Sequence, residues 1–228
     1  MGQMTAITII TTTITPMSEA DLLRLTHWLS PVFPVGSYAY SGGLETAIAD
    51  GHVTSEATLQ SWLDGMLTLG SGRADAILLA NALNPESDPA LLADWSRALA
   101  SSAERWQETW EQGQAFQRAL EATGEGDGTP MPLPVALGVA ARALALPVEQ
   151  VIALFLQALV ANLVTGAVRH IPLGQGEGTR VIAALGPTIL ETARAACALH
   201  PEDATTATFG ADLAQMRHET QDIRIFRT

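Results

Sequence analysis

Residues 151–168 read Val-Ile-Ala-Leu-Phe-Leu-Gln-Ala-Leu-Val-Ala-Asn-Leu-Val-Thr-Gly-Ala-Val, the most apolar run of the chain. Two structures compete for such a segment: a membrane span and the core helix of a globular bundle. Its few polar residues decide between them. At 100° per residue, Gln157, Asn162, Thr165 and the following Arg169 fall within an arc of roughly 140°, leaving the remaining face apolar. The run therefore predicts a core helix that opens at Pro147, in a soluble protein with no membrane association.

Helical patterns extend in both directions from it. Val135 to Leu146 and Pro147 to His170 read as a helical hairpin about Leu146-Pro147. Ile171 to Gly178 is a turn, and Thr179 to Leu199 is helical again. Upstream, Leu91 to Leu120 is helical, continuous or bent. Its stripe of Trp106, Trp110, Gly113, Phe116 and Leu120 marks a core or helix–helix face, with Gly113 suited to close backbone approach. Gly124 to Pro132 links helices. Leu22 to Leu29 and Leu44 to Ala49 form short helices, and Thr54 or Ser55 caps a third whose face is Leu59, Trp62, Leu63, Met66 and Leu67. Arg73 to Leu83 continues before the Asn84-Pro85 turn, with Ser87 or Asp88 as the next cap. The last helix, about Thr208 to Asp222, carries Phe209, Leu213, Met216 and Ile223 at heptad-like spacing. No β-rich block interrupts this series. The expected fold is an all-α single-domain bundle of about eight to ten helices over residues 21–228. A Thr/Ile-rich flexible leader over residues 1–20 precedes it, and a tail from about residue 223 follows.

Charge and motifs narrow the function. Twelve Lys+Arg against twenty-four Asp+Glu give a net charge of −12, which argues against nucleic acid as a partner. All twelve basic residues are arginine, so the Lys-dependent phosphate loop is ruled out. A single cysteine, Cys197, offers neither a disulfide framework nor a cysteine zinc cluster and suits the cytoplasm. The five histidines are dispersed without metal-ligand spacing. Glu104, Glu108 and Glu111 read as a solvated helix face, with Arg105–Glu108 an i, i+3 pair.

Two segments stand out against this background. Ser30 to Glu45 packs Pro31, Pro34, Gly36, Gly42, Gly43, Phe33, Tyr38 and Tyr40 into a stiff, shaped loop, either a functional surface or a packed corner. At the other end, Arg217, Arg224 and Arg227 gather in the last twelve residues around Ile225 and Phe226. They suggest a docking hook with Phe226 as its anchor, a reading preferred here to a tail folded on its own core.

Four blocks in register resemble the urease accessory protein UreF family. They are Ser30-Pro31…Pro34-Val35-Gly36-Ser37-Tyr38…Ser41…Gly43-Leu44-Glu45, Arg73-Ala74-Asp75-Ala76, Arg169-His170-Ile171-Pro172-Leu173-Gly174-Gln175, and Met216-Arg217-His218-Glu219…Arg224-Ile225-Phe226-Arg227. His170 departs from the Leu frequent in that family. The resemblance implies an all-α homodimer without a catalytic site. It implies that the dimer binds UreD (UreH), recruits and regulates the GTPase UreG, and serves nickel delivery to the urease apoprotein. Nickel is then handled by the complex and not tightly bound by this chain. Tyr38, Arg224, Phe226 and Arg227 become the expected partner-binding residues, with Pro31, Pro34 and Gly36 shaping the loop. Arg224 is expected to dock first and to act as an arginine finger only second. A small α-helical serine hydrolase using Ser41 or Ser37, completed by His52 and Glu45, is the alternative from another class, and direct nickel storage is a third.

Overall fold

Side-chain caps set where most of the early helices begin. The computed structural model describes residues 18–228. Ser18 Oγ accepts the Asp21 amide to open α1 (Glu19–Trp28). The expected leader falls outside the described residues as far as residue 17, while Glu19 and Ala20 already belong to α1. α2 is Leu44–Ala49. Ser55 caps α3 (Glu56–Leu69) through a reciprocal box with Thr58. α4 spans Ser71–Leu83, and Asp88 caps α5 (Pro89–Leu99). Ser102 caps α6 (Ala103–Thr123), which ends on Gly124 in the left-handed region. Beyond the linker lie α7 (Leu133–Ala141), α8 (Val148–Ala167), α9 (Gln175–Ala184), α10 (Gly186–Ala196) and α11 (Phe209–His218). Among the described residues there is no strand.

The chain is thus an all-α, single-domain bundle. Among the described residues its α-helices number eleven because two long helical stretches divide: Leu91 to Leu120 at the Ser102 cap, and Thr179 to Leu199 at Leu185-Gly186-Pro187. Proline in the first turn starts a helix readily but cannot continue one.

α4 is the central element. Gly72, Ala74 to Leu79 and Ala82 are all buried, so it is enclosed on nearly every side by α3, α5, α7, α8 and α10. α7 and α8 do not form the expected hairpin: α7 lies against α4 and α6, while α8 packs on α10, α4 and α9. The short turn between them delivers the chain from one face of α4 to another. α8 is long and apolar enough, by length and composition, to cross a membrane. It turns Val151, Ile152, Phe155, Leu156, Val160, Leu163, Val164 and Ala167 into the bundle, with Gln157, Asn162 and Thr165 on the opposite, more open face. Each fully buried leucine in such a core contributes roughly 1.5–3 kcal/mol.

Gly113 marks the tightest backbone approach among the described glycines. A Cβ built there would stand 1.9 Å from the Met131 carbonyl oxygen and 2.7 Å from the Leu133 amide, so α6 and the start of α7 touch backbone to backbone. Phe116 and Leu120 continue that face into the core, while Trp106 and Trp110 stack on one another half-buried. The heptad-like stripe of the last helix behaves otherwise: Phe209, Leu213, Met216 and Ile223 are exposed, and α11 seats itself through Ala211, Ala214, Gln215 and His218. Small and polar residues face inward there because α11 lies close on the α2 turn, where a Cβ at Gly43 would sit 2.9 Å from the Gln215 amide.

Candidate functional site

After α11 the chain turns back across its own surface, contrary to the free hook expected from sequence. Residues 223–228 run as an irregular strap over α2, α6 and the loop of residues 30–43. An irregular segment has no ladder or helical partners for its amides, so it needs acceptors from elsewhere. Glutamates supply most of them. Glu45, in the first turn of α2, accepts the Ile225 amide at 2.8 Å and the Phe226 amide at 2.9 Å. Glu104 pairs with Arg224 at 2.7 Å, and Glu111 with Arg227 at 2.7 Å. Glu108 accepts the Thr228 hydroxyl at 3.3 Å.

Glu104, Glu108 and Glu111 follow an i, i+4, i+7 spacing that puts all three on one face of α6. That face is not merely solvated. Glu108 is buried and shares Arg105 with Asp75, at 3.2 Å and 2.5 Å respectively. Burial pushes the Asp75 and Glu108 carboxyls up, against the pull of the Arg105 guanidinium. Asp75 belongs to the Arg73-Ala74-Asp75-Ala76 block, so a polar chain runs from the central helix through α6 to the strap.

Fully buried His218 completes the network. Its Nδ1 lies 2.6 Å from Glu104 and its Nε2 3.1 Å from Glu45, so it ties α11 to both helices that hold the strap. Burial acts to raise the Glu45 carboxyl, but the Phe226 amide, His218 and the Ile225 amide together hold it below its ordinary value. Glu111 is likewise held low: Gln107, Tyr40 and Arg227 outweigh its burial.

The shaped loop meets the strap directly. The Arg227 amide donates to the Ala39 carbonyl at 2.8 Å, and the Ser41 amide and hydroxyl both donate to the Thr228 carbonyl. Tyr40 is buried, donates to Glu111 at 2.7 Å and lies under the Arg227 guanidinium. Its phenol is pushed upward by burial and by the Glu111 carboxylate. Asn162 on α8 donates to the Ser37 carbonyl at 2.8 Å, fixing the turn that carries Tyr38. Gly36 takes a φ of 71°, open to glycine at little cost, at the entry to that turn. Pro31 and Pro34 are exposed, while Phe33 packs on Phe116 in the core, so the loop is at once a packed corner and a surface.

The expected partner residues therefore divide. Tyr38 is 73% exposed, and Arg224 also faces outward beside exposed Ile223 and Ile225. Phe226 turns inward, edge-on to His170 with ring centroids 5.2 Å apart and over Gly166. Arg227 spans Tyr40 and Glu111. The hook folds back because its amides and guanidinium groups find carboxylates on its own chain. Sequence reading missed Glu45 and His218 as holders of the strap. The three-glutamate face of α6, set against a tail rich in arginine, was the available signal.

For acyl chemistry, the arrangement provides little. Ser41 is buried with its hydroxyl committed to Thr228, and no imidazole is among its hydrogen-bond partners in the described residues. His52 is exposed at the end of α2. Among the described residues, no three His, Cys, Asp or Glu side chains are disposed to hold a metal ion.

The fold and site define an all-helical bundle whose most organised polar feature is its clasped tail. Residues 53–186 match the family model described as UreF. A urease accessory protein UreF of Cereibacter sphaeroides is 55% identical over 92% of this chain and 100% of its own length. Those of a Jannaschia species and of Paracoccus denitrificans are each 48% identical, over 91% and 95% of this chain and 94% and 100% of their own lengths. The chain belongs to the UreF family of urease accessory proteins.

Proposed function

We propose that this chain is a non-catalytic scaffold of urease maturation in the cytoplasm. Together with UreD (UreH) it recruits and regulates the GTPase UreG, and the assembly inserts nickel into the urease apoprotein. Nickel is cargo of that assembly, not a resident ion of this chain. The observation that carries the reading is that the loop and the strap, joined by backbone hydrogen bonds, both carry exposed side chains: Tyr38 on the first and Ile223, Arg224 and Ile225 on the second, on segments whose inner contacts are fixed. Large apolar side chains beside a planar cation are the composition of a protein-docking surface. Tyr38 and Arg224 make the direct contacts, while Phe226 and Arg227 seat the strap that presents them. Homodimer formation is supported by the open face of α8, where Leu154, Ala158 and Ala161 remain only half-buried.

Co-purification tests the proposal. Tagged chain is expected to retain UreD, and UreD-bound chain to retain UreG. Tyr38→Ala and Arg224→Ala are each expected to weaken UreD retention at unchanged folding. A chain that binds neither partner, and whose deletion leaves urease activation intact, would overturn the scaffold reading.

A further inference from the structure

Among the carboxylates that hold the strap, Glu45 differs from the others. Glu104 and Glu111 bind side chains of the strap, whereas Glu45 binds its backbone, through two successive amides and both carboxylate oxygens. Backbone capture fixes the path of a segment whatever its side chains do. The same carboxylate also meets His218 Nε2 at 3.1 Å, on the helix from which the strap departs. One residue thus clamps the origin and the middle of the strap to α2. Beneath this clamp, Tyr40, Leu44, Ile48, Leu163, Ala167 and His170 line the slot that receives Phe226.

We propose that Glu45 is the positioning residue of the strap, the single carboxylate that holds residues 223–228 against α2 and so sets where Arg224 and Ile225 stand relative to Tyr38. A neutral amide at position 45 offers one acceptor oxygen where two backbone N–H donors and the His218 ring converge, so its NH2 would face one of the backbone N–H groups or the imidazole. The strap then loses the hold on its two middle amides, Ile225 and Phe226, while the Arg227 and Thr228 backbone contacts with the loop and the apolar core of the bundle remain. A role of Glu45 confined to the first turn of α2, favouring that helix end by its charge, would leave the strap in place.

The test uses the full-length isolated chain. Trypsin cleaves after arginine, so the Arg224–Ile225 and Arg227–Thr228 bonds report strap release directly. In Glu45→Gln the cleavage rate at these bonds should rise about tenfold or more, because hydrogen bonds to a charged acceptor are among the stronger ones and cleavage follows the open population. Cleavage after the exposed Arg97 and Arg118 should not change. Ile225→Pro attacks the same contact from the other side: it deletes the Ile225 N–H, and the Ile225 side chain is itself exposed, so the bundle is not at risk. Trypsin does not cut an Arg–Pro bond, so in this variant release is read at Arg227–Thr228 alone. Cleavage there should rise similarly, and at that bond the double variant should exceed neither single variant by the product of their effects. Unchanged strap cleavage in both single variants, or fully multiplicative effects in the double, would overturn the assignment. The scaffold reading supplies the consequence for partners but not this outcome. A strap released on schedule in a chain that still never binds UreD would count against the scaffold reading alone.

Discussion

Helix α6 carries arginine–carboxylate pairs in two settings. At Glu108 the carboxylate and its Arg105 partner are nearly enclosed, with side chains 9% and 12% exposed, and a second acid, Asp75, shares the guanidinium. At Glu104 and Glu111, on the same face, the partners Arg224 and Arg227 are 43% and 53% exposed. The chemistry is the same and the solvent is not. In the enclosed cluster, removing one partner strands a charge where water cannot reach it. In the strap pairs, water and salt replace whatever is lost. The first belongs to the fold and the second to the presentation of a surface.

The sharpest way to break this comparison is Arg105→Ala. It leaves Asp75 and Glu108 facing one another without a cation, and it should cost about 3–5 kcal/mol in urea-induced unfolding. A loss below about 1 kcal/mol, the range of exposed pairs, would erase the distinction. Next comes Gly113→Ala on the buried side of the same helix. The added methyl meets the Met131 carbonyl and the Leu133 amide, which are backbone and cannot rotate aside. Overpacking of this kind should cost about 1–3 kcal/mol by the same measurement, with the exposed strap unaffected.

Legibility from sequence follows the same division. α8, α3 and the Phe116–Leu120 face of α6 were readable because apolar periodicity is a local signal, and caps such as Ser55 and Asp88 are written within a few residues of the helices they start. The breaks at Ser102 and Pro187 leave weaker marks, so Leu91 to Leu120 reads as continuous or bent and Thr179 to Leu199 as one helix. The strap was hardest. Whether Arg224 pairs with solvent, a partner or Glu104 depends on 120 residues of intervening fold. Nor does any local pattern show that Asp75, set in the apolar run of α4, meets Arg105, or that His218 is enclosed by two glutamates from different helices. The exposed Phe209, Leu213 and Met216 illustrate the reverse case: correct apolar spacing that identifies no core, because α11 lies too close to Gly43 to turn large side chains inward.

Acid should separate the two clusters. Glu45 and Glu111 are held below their ordinary value of 4.5 in the folded chain, so their contribution is present above that value and lost as pH falls through the lowered ones. Asp75 and Glu108 are raised, so the folded cluster binds protons more tightly than the unfolded chain. Its contribution is complete at acid pH and declines as pH rises through the raised values. The groups facing the strap carboxylates are His218, Glu104, Arg224, Tyr40 and Arg227. In hydrogen exchange corrected for intrinsic rates, the Ile225 and Phe226 amides should lose protection below about pH 4.5 while α4 and α6 retain theirs. Simultaneous loss in strap and core would show that the strap is not a separate unit.

The smallest effect on stability and the most telling one for function is expected at Arg224. Its ion pair with Glu104 is half-exposed, so Arg224→Ala should change global stability by less than about 1 kcal/mol. Glu104 keeps its contact with His218, and the Ile225 amide keeps Glu45, so the strap should stay seated and strap cleavage at Arg227 should stay slow. Any loss of UreD or UreG recruitment is then a loss of surface and not of fold. Two outcomes divide docking from catalysis by an arginine finger. If recruitment falls with the guanidinium, Arg224 is a docking contact. If UreG is still recruited but stimulation of its nucleotide hydrolysis disappears, the guanidinium acts on the phosphoryl-transfer transition state. Arg224→Lys sharpens the choice, since an ammonium keeps the charge and loses the planar fork. Docking through paired hydrogen bonds should fail with lysine nearly as badly as with alanine. Attraction by charge alone should survive at low salt and fade as ionic strength rises.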